Sequence, residues 1–234
     1  MIGKFFWSLY AFCYDVLLKF RPYQEMLHAV LEKLDLKEGQ KIMDAGCGTG
    51  NLTALIKNKW PWAEVTVVDF SQVMLAIARK KTAGRSGVSV GSVDFSVPLL
   101  YPDNSFGFIA SVNVLHALPN PAETIKELRR VLKRGGKMVI VALKDGYQLP
   151  LILKAHRHDY EPIEKWQTKN LLIWFCLVFK AFGPNLTALK FIFIAIFNKA
   201  VDKEIKGFKS GELERIFSAE GLILLKGCTS FIFL

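Results

Sequence analysis

Three glycines at alternate positions, Gly46, Gly48 and Gly50, close the stretch KIMDAGCGTG, in which a short apolar run from Lys41 first reaches Asp44. An apolar strand that ends in a Gly-rich turn and continues into a helix, here expected over about residues 51 to 58, brings bare backbone amides and a helix N-terminus close to a ligand. Glycine is needed because a Cβ would block both the left-handed dihedrals and the close approach. Asp69 stands 25 residues beyond Asp44, at the end of a second apolar run, EVTVVD. Asp94 ends a third, alternating run, and His116 follows a fourth. Tyr10 and Tyr14 precede the loop, whereas His156, His158 and Tyr160 lie far downstream. A His or Tyr can move protons in a reaction, but a lone His is more often structural, and an acid at a strand end often caps the next helix.

The elements that must position these groups alternate regularly. Strands are expected at about Lys41 to Asp44, Glu64 to Asp69, Val88 to Asp94, Phe106 to Val114 and Lys137 to Leu143. Between them come a helix after the glycine loop, a helix capped by Ser71 and running to about Ala83, and a helix from Pro121 to a Gly135, Gly136 stop. Such spacing means βαβ units and a parallel, doubly wound sheet, the α/β class. Residues 1 to 20 place Phe5, Phe6, Leu9, Phe12, Cys13, Val16, Leu17 and Phe20 near a helical period, which reads as one amphipathic helix, packed over the core or lying in a bilayer interface. A second helix follows over Tyr23 to Leu34. The alternation stops near Gly146 and resumes with a helix over Ser210 to Glu220 and two strands around Gly227, within Leu222 to Leu234.

The chain has 234 residues, of which 51% are apolar, room for one α/β domain with an inserted subdomain. A net charge of +10 asks for an anionic partner, and 18 Phe with 5 Trp make an anionic membrane surface a better fit than nucleic acid. Cys13, Cys47, Cys176 and Cys228 are scattered without paired or metal-like spacing, so they read as reduced and no metal site is expected. Tyr14 and Asp15 interrupt the first apolar stretch and no small-residue cleavage site follows, so no signal peptide is expected. The blocks Leu171 to Phe179 and Phe191 to Phe197 fall short of the roughly 18 to 20 residues of a membrane span. They are expected either to bury against the sheet as a lid or to dip into a lipid interface.

These motifs resemble the class I S-adenosylmethionine-dependent methyltransferases, in particular the group that includes quinone and phospholipid-amine methylating enzymes. DAGCGTG is similar to the family's first motif, VTVVDFSQVML to its second, PDNSFGFIASVNVLHAL to its fourth-strand region and LRRVLKRGGKMVIVAL to the helix and strand that close the core. The resemblance implies a Rossmann-like sheet of seven strands, the last antiparallel, with a helical N-terminal cap over residues 1–36, a cofactor-binding core over 37–146, a helical insertion over 147–206 and a closing helix and strands over 207–234. It implies that Asp44, Ala45, Gly46, Cys47, Gly48 and Gly50 hold the methionine end of the cofactor, Asp69 the ribose hydroxyls, and Phe70, Met74, Asp94 and Phe95 the adenine. Asn113 and Val114 are expected to floor the sulfonium, His116 and Tyr14 are the catalytic candidates, and Tyr10, His156, His158 and Tyr160 are the acceptor-binding candidates. Met74, at a helical position, has core packing as its plainer role.

The chain departs from the family pattern at Gly107, where an acid is usual, at KRGG over Lys133 to Gly136, and by the insertion of about sixty residues after the fifth strand. Acceptor choice in the family usually comes from such additions. The resulting expectation is a cytoplasmic methyltransferase, peripheral on the inner face of the membrane, acting on a phospholipid amine or an isoprenoid quinone. A soluble small-molecule methyltransferase with an apolar lid is the alternative, and a non-catalytic membrane adaptor or partner subunit is the second. A DNA amino-methylase is disfavoured because NVLH stands where an Asn/Asp-Pro-Pro-aromatic tetrad is usual.

Overall fold

The computed structural model describes residues 4–19 and 21–143, with residues 190, 212, 215–216 and 231–233. Helix α1 (Lys4–Tyr14), a 3-10 turn (Asp15–Lys19) and α2 (Arg21–Lys33) precede the first strand, β1 (Lys41–Ala45). Then come α3 (Asn51–Lys59), β2 (Glu64–Asp69), α4 (Gln72–Thr82), β3 (Val88–Ser92), β4 (Phe106–Val112), a 3-10 turn (Leu115–Ala117), α5 (Pro121–Val131), β5 (Leu132–Leu143) and β6 (Phe231–Phe233). The strand order is β3-β2-β1-β4-β5-β6. Strands β1 to β5 run parallel, with Asp44 beside Val67 on one side and Ala110 on the other. The order reverses between β1 and β4, which opens a crevice at the carboxyl ends of the strands.

Burial explains the sequence pattern of each strand. β4 is buried along nearly its whole length and β1 from Ile42 onward, as parallel strands covered on both faces must be. β3, at the sheet's edge, is half exposed, and Ser89, Gly91 and Ser92 are tolerated there. Successive side chains point to opposite faces. Ile42, Val65, Val67, Phe108 and Val141 pack under α1 to α4 with Met26, Leu27, Ile56 and Leu75. Met43, Val68, Ile109, Ile140 and Ala142 pack against Ile125, Leu128 and Val131 of α5. Where Trp60 and Pro61 break the chain, the buried Lys57 donates to the carbonyls of Pro61 and Ala63 and so closes the α3–β2 turn.

Several expectations need correction. Seven strands with an antiparallel last strand become, among the described residues, five parallel strands, so that the last full-length strand is parallel. The only antiparallel pairing among them is that of the three-residue β6 with β5. Residues 221–230, where the other late strand was expected, lie outside the described residues, as do most of 207–234 and nearly all of the 147–206 insertion with its two apolar blocks, His156, His158 and Tyr160. The single helix over 1 to 20 is two elements, because the chain turns at Asp15 into a 3-10 segment. Helix α5 stops at Val131 rather than at the glycines: Leu132 already pairs with Phe106, and a register shift follows before Lys137 pairs with Phe108. Gly136 sits in that shift, where a Cβ would lie 2.9 Å from the Gly107 carbonyl. That contact sets Gly107 of β4 directly against the KRGG stretch.

Gly50 carries a left-handed φ of 79° as the residue before α3, and a Cβ there would sit 3.1 Å from Ala78 Cβ and 3.2 Å from Ala78 Cα. Glycine therefore sets how closely α3 approaches α4. Gly50→Ala is expected to lower unfolding stability by about 1–3 kcal/mol, read as a reduced midpoint in urea denaturation with an unchanged slope.

Candidate functional site

A cavity of about 180 Å³ opens where β1, β2 and β4 end, at the reversal of strand order. Gly46 and Gly48 form one wall, Asp69, Phe70 and Met74 a second, Asp94, Phe95 and Ser96 a third, and Val112, Asn113 and Val114 the floor. Trp7 and Tyr14 of α1 close it from the N-terminal side, and Ala117, Leu118 and Pro119 complete the rim.

The glycine loop is held by the end of β2. The Val68 carbonyl accepts from the amides of Gly46 at 2.8 Å and Cys47 at 2.9 Å, and Gly50 N donates to the Cys47 carbonyl at 2.9 Å. Asp69 Oδ2 accepts from Gly48 N at 2.9 Å while its Oδ1 accepts from Ser71 N at 2.9 Å, so one carboxylate grips both the loop and the start of α4. Ser71 caps α4 by accepting from Met74 N. Burial pushes the Asp69 carboxyl up, against the pull of its backbone hydrogen bonds. Gly46, with φ of 77°, leaves no room for any side chain, since a Cβ would lie 2.2 Å from Val114 Cγ2. The expectation of bare amides offered to a ligand is therefore corrected: those of residues 46, 47, 48 and 50 are already bonded within the protein.

Asp44 does not face the cavity. It is buried beneath the loop and accepts from Thr53 Oγ1, and burial lifts its pKa to about 6. Ala45, Cys47 and Gly50 are likewise outside the lining, with Cys47 buried and its thiol pushed up by desolvation. His116 is buried outside the lining too, its pKa drawn down to about 4 by desolvation, and its Nδ1 has no hydrogen-bond partner. Asn113 ends β4 in the left-handed region, φ 59°, with its amide bonded to Val141 O at 2.8 Å and its side-chain Oδ1 buried without a partner.

On the far wall Asp94 Oδ1 accepts from Ser96 N at 2.9 Å and Ser96 Oγ at 2.6 Å. The loop behind it is pinned by α5. Thr124 Oγ1 donates to Phe95 O at 3.1 Å, Glu127 accepts from Leu99 N at 2.9 Å, and Arg130 donates to the carbonyls of Leu99 and Tyr101, both at 2.9 Å. Arg130 also pairs with Glu127 and Asp103, and its hydrogen bonds hold the Glu127 carboxyl below the usual range. Under the roof, the Tyr10 and Tyr14 rings lie 5.5 Å apart, Tyr14 and Tyr23 6.2 Å, and Trp7 and Phe70 6.4 Å. Burial raises the Tyr14 hydroxyl well above its ordinary value. Tyr10 is buried in the core rather than in the lining.

The structure thus brings together ten of the residues singled out in sequence: Tyr14, Gly46, Gly48, Asp69, Phe70, Met74, Asp94, Phe95, Asn113 and Val114. Trp7, Ser96, Val112 and Ala117 to Pro119 were missed. Only Trp7 had a signal, as an aromatic one turn before the expected tyrosines. Among the described residues no group of acids, His or Cys could hold a metal.

Comparison with known proteins agrees with this geometry. Residues 43–140 match the family model described as a methyltransferase domain. The demethylmenaquinone methyltransferase of Staphylococcus aureus is 35% identical over 124 residues, 53% of this chain and 51% of that protein. The chain therefore spans about half the length of the curated relatives it matches. Among solved structures, a SAM-dependent methyltransferase from Aquifex aeolicus superposes with a TM-score of 0.56 at 19% identity, covering 94% of this chain and 92% of that one. The YcgJ protein of Bacillus subtilis gives 0.59 at 17%, covering 86% and 70%. At such identities the two structures speak for the fold alone. Together these define an α/β, Rossmann-like methyltransferase fold. Residues 43–140 thus carry a match to a methyltransferase domain on a sheet of this fold.

Asp44 and His116 oppose each other in their pH dependence. The folded pKa of Asp44, about 6, lies above the unfolded value near 4, so the folded state holds the extra proton and stability falls as pH rises from about 4 to 6. For His116 the folded value, about 4, lies below the unfolded value near 6.5, so stability rises over nearly the same window. Asp44→Asn is expected to unmask the His116 contribution, a rise of about 2 kcal/mol between pH 4.5 and 6.5 relative to wild type, and His116→Gln the reverse, measured by urea unfolding at the two pH values.

Proposed function

We propose that the protein transfers a methyl group from S-adenosylmethionine to a lipid-like acceptor at a membrane surface, an isoprenoid quinone in preference to a phospholipid amine. The observation that carries the cofactor half is the site's polarity. With the amides of residues 46, 47, 48 and 50 spent, the glycine loop suits a phosphate poorly, since phosphate needs several free N–H donors. What the cavity presents instead are acceptors, the Asp69 and Asp94 carboxylates, set among Trp7, Phe70, Met74 and Phe95. That set fits a cationic ligand carrying hydroxyls and an aromatic amine. Gly46 and Gly48 give it close backbone approach, Asp69 a ribose contact, Phe70 and Met74 an apolar face for the adenine, Asp94 and Phe95 its edge, and Asn113 and Val114 the floor below the sulfonium. Asp44, Ala45, Cys47 and Gly50 shape the loop from beneath.

The bound cofactor supplies an electrophilic methyl, so the protein's part is to align the acceptor behind it and to exclude water. Trp7 and Tyr14 serve exclusion from above, and Tyr14 faces the position an acceptor would take. His116, neutral at physiological pH and outside the lining, acts on the rim by filling the core behind Ala117 and Leu118.

A quinone acceptor is supported by the name of the Staphylococcus aureus relative. The net charge of +10 and the apolar composition support a peripheral, anionic-membrane location on the cytoplasmic side, and among the described residues no helix is long and apolar enough to cross a membrane. The insertion over 147–206, with His156, His158 and Tyr160, is proposed to supply acceptor contacts. Calorimetry is expected to show S-adenosylmethionine binding that weakens about a hundredfold in Gly46→Ala, because the new Cβ displaces the floor by an ångström or more. Labelled cofactor incubated with a total lipid extract is expected to mark the quinone fraction. Label confined to water-soluble compounds would instead support the small-molecule reading, and binding without any transfer the adaptor.

A further inference from the structure

Asp15 opens the turn between α1 and α2, outside both the family match and the cavity lining. Its carboxylate nevertheless reaches two other elements. Thr49 Oγ1 donates to Oδ1 at 2.5 Å, and Lys81 Nζ donates to Oδ1 at 3.0 Å and to Oδ2 at 2.9 Å. Lys81, in the last turn of α4, also donates to Thr49 Oγ1 at 3.3 Å and to Asn51 Oδ1. Asn51 Nδ2 continues the chain to the Tyr23 hydroxyl at 3.4 Å, and Tyr23 packs edge-on against Tyr14. One polar network therefore joins the N-terminal cap, the glycine loop, the start of α3 and the end of α4.

Thr49 is fully buried between Gly48 and Gly50, so the acceptor for its hydroxyl comes from the cap, 34 residues away in sequence. Lys81 and Asp15 are 22% and 42% exposed, enough for the pair to break and re-form without burying a bare charge. Trp7 and Tyr14 hang from the same cap over the cavity, so a ligand held there lies against the cap. We propose that Asp15 is a positioning residue that latches the N-terminal cap to the glycine loop, so that docking of the cap both sets the loop and retains the cofactor. The retention half rests on the cofactor reading above; the coupling of cap to loop stands on the contacts alone.

Two measurements on the full chain test this. Stopped-flow release of S-adenosylmethionine is expected to be about tenfold faster in Asp15→Asn and in Lys81→Met, with no further gain in the double variant because the two share one interaction. Cofactor KM should rise by a similar factor while kcat at saturating cofactor holds within about twofold, and Lys81→Arg should release as slowly as wild type. In the ligand-free protein, hydrogen exchange over residues 4–19 and 49–51 should quicken in Asp15→Asn while β1 and β4 stay protected, which also confirms folding. Unchanged exchange in the cap, release within twofold of wild type in both single variants, or additive effects in the double variant would overturn the latch. Wild-type protein that binds no cofactor, but whose cap loosens in Asp15→Asn, would refute the cofactor reading and still support the coupling of cap to loop.

Discussion

The end of β2 governs the site. Its last two residues between them hold three loop amides and the start of α4: Val68 through its carbonyl, Asp69 through both carboxylate oxygens. Burying a carboxylate is costly, and the upward push on the Asp69 pKa registers that cost. Hydrogen bonds to a charged acceptor are among the stronger ones available, and two of them offset the desolvation while fixing an otherwise floppy glycine turn. The floor residue Val114 then closes against Gly46, where only hydrogen fits. The loop's position, the width of the cavity and the direction of α4 are thus consequences of one strand end.

Using the amides internally also selects the ligand. A glycine turn at the reversal of a doubly wound sheet is a general binding device, and free amides would make it a phosphate cradle. Here the amides of residues 46, 47, 48 and 50 are consumed, and the Asp69 and Asp94 carboxylates remain on the walls. On the floor, Asn113 tolerates the left-handed conformation required just past β4 better than most residues.

Two covers approach the cavity from different parts of the chain. One is the 94–101 loop, pinned from behind by Thr124, Glu127 and Arg130. The other is the N-terminal cap, whose Trp7 meets Phe70 edge to face and whose turn reaches the glycine loop through Asp15. The first is fastened by hydrogen bonds to α5, the second by the Asp15 contacts, by aromatic edges and by the buried Tyr10, Ala11 and Val16.

The alternation of apolar runs with helical segments was enough to determine a parallel α/β sheet, because period-2 and period-3.6 burial leave different marks in a sequence. The acids at strand ends and the spaced glycines were legible for the same reason: each is a local exception to an apolar pattern. The stop of α5 at Val131 was not legible, since Leu132 reads equally well as the next helical residue until its pairing with Phe106 is known. Nor was the turn at Asp15 legible, hidden as it was within a continuous aromatic period. Among site residues, sequence named the wall made by consecutive motif positions but put Asp44 and His116 in the cavity, when both are buried behind it. Which way a strand-end side chain points depends on register with its neighbours. Likewise, whether the loop amides are free depends on Val68 and Asp69, which reach them only once β1 and β2 pair. Sequence therefore determined the fold class and named most of the residues that line the cavity. Tertiary structure decided which of their atoms remain free for a ligand, because hydrogen-bond satisfaction depends on contacts between distant segments.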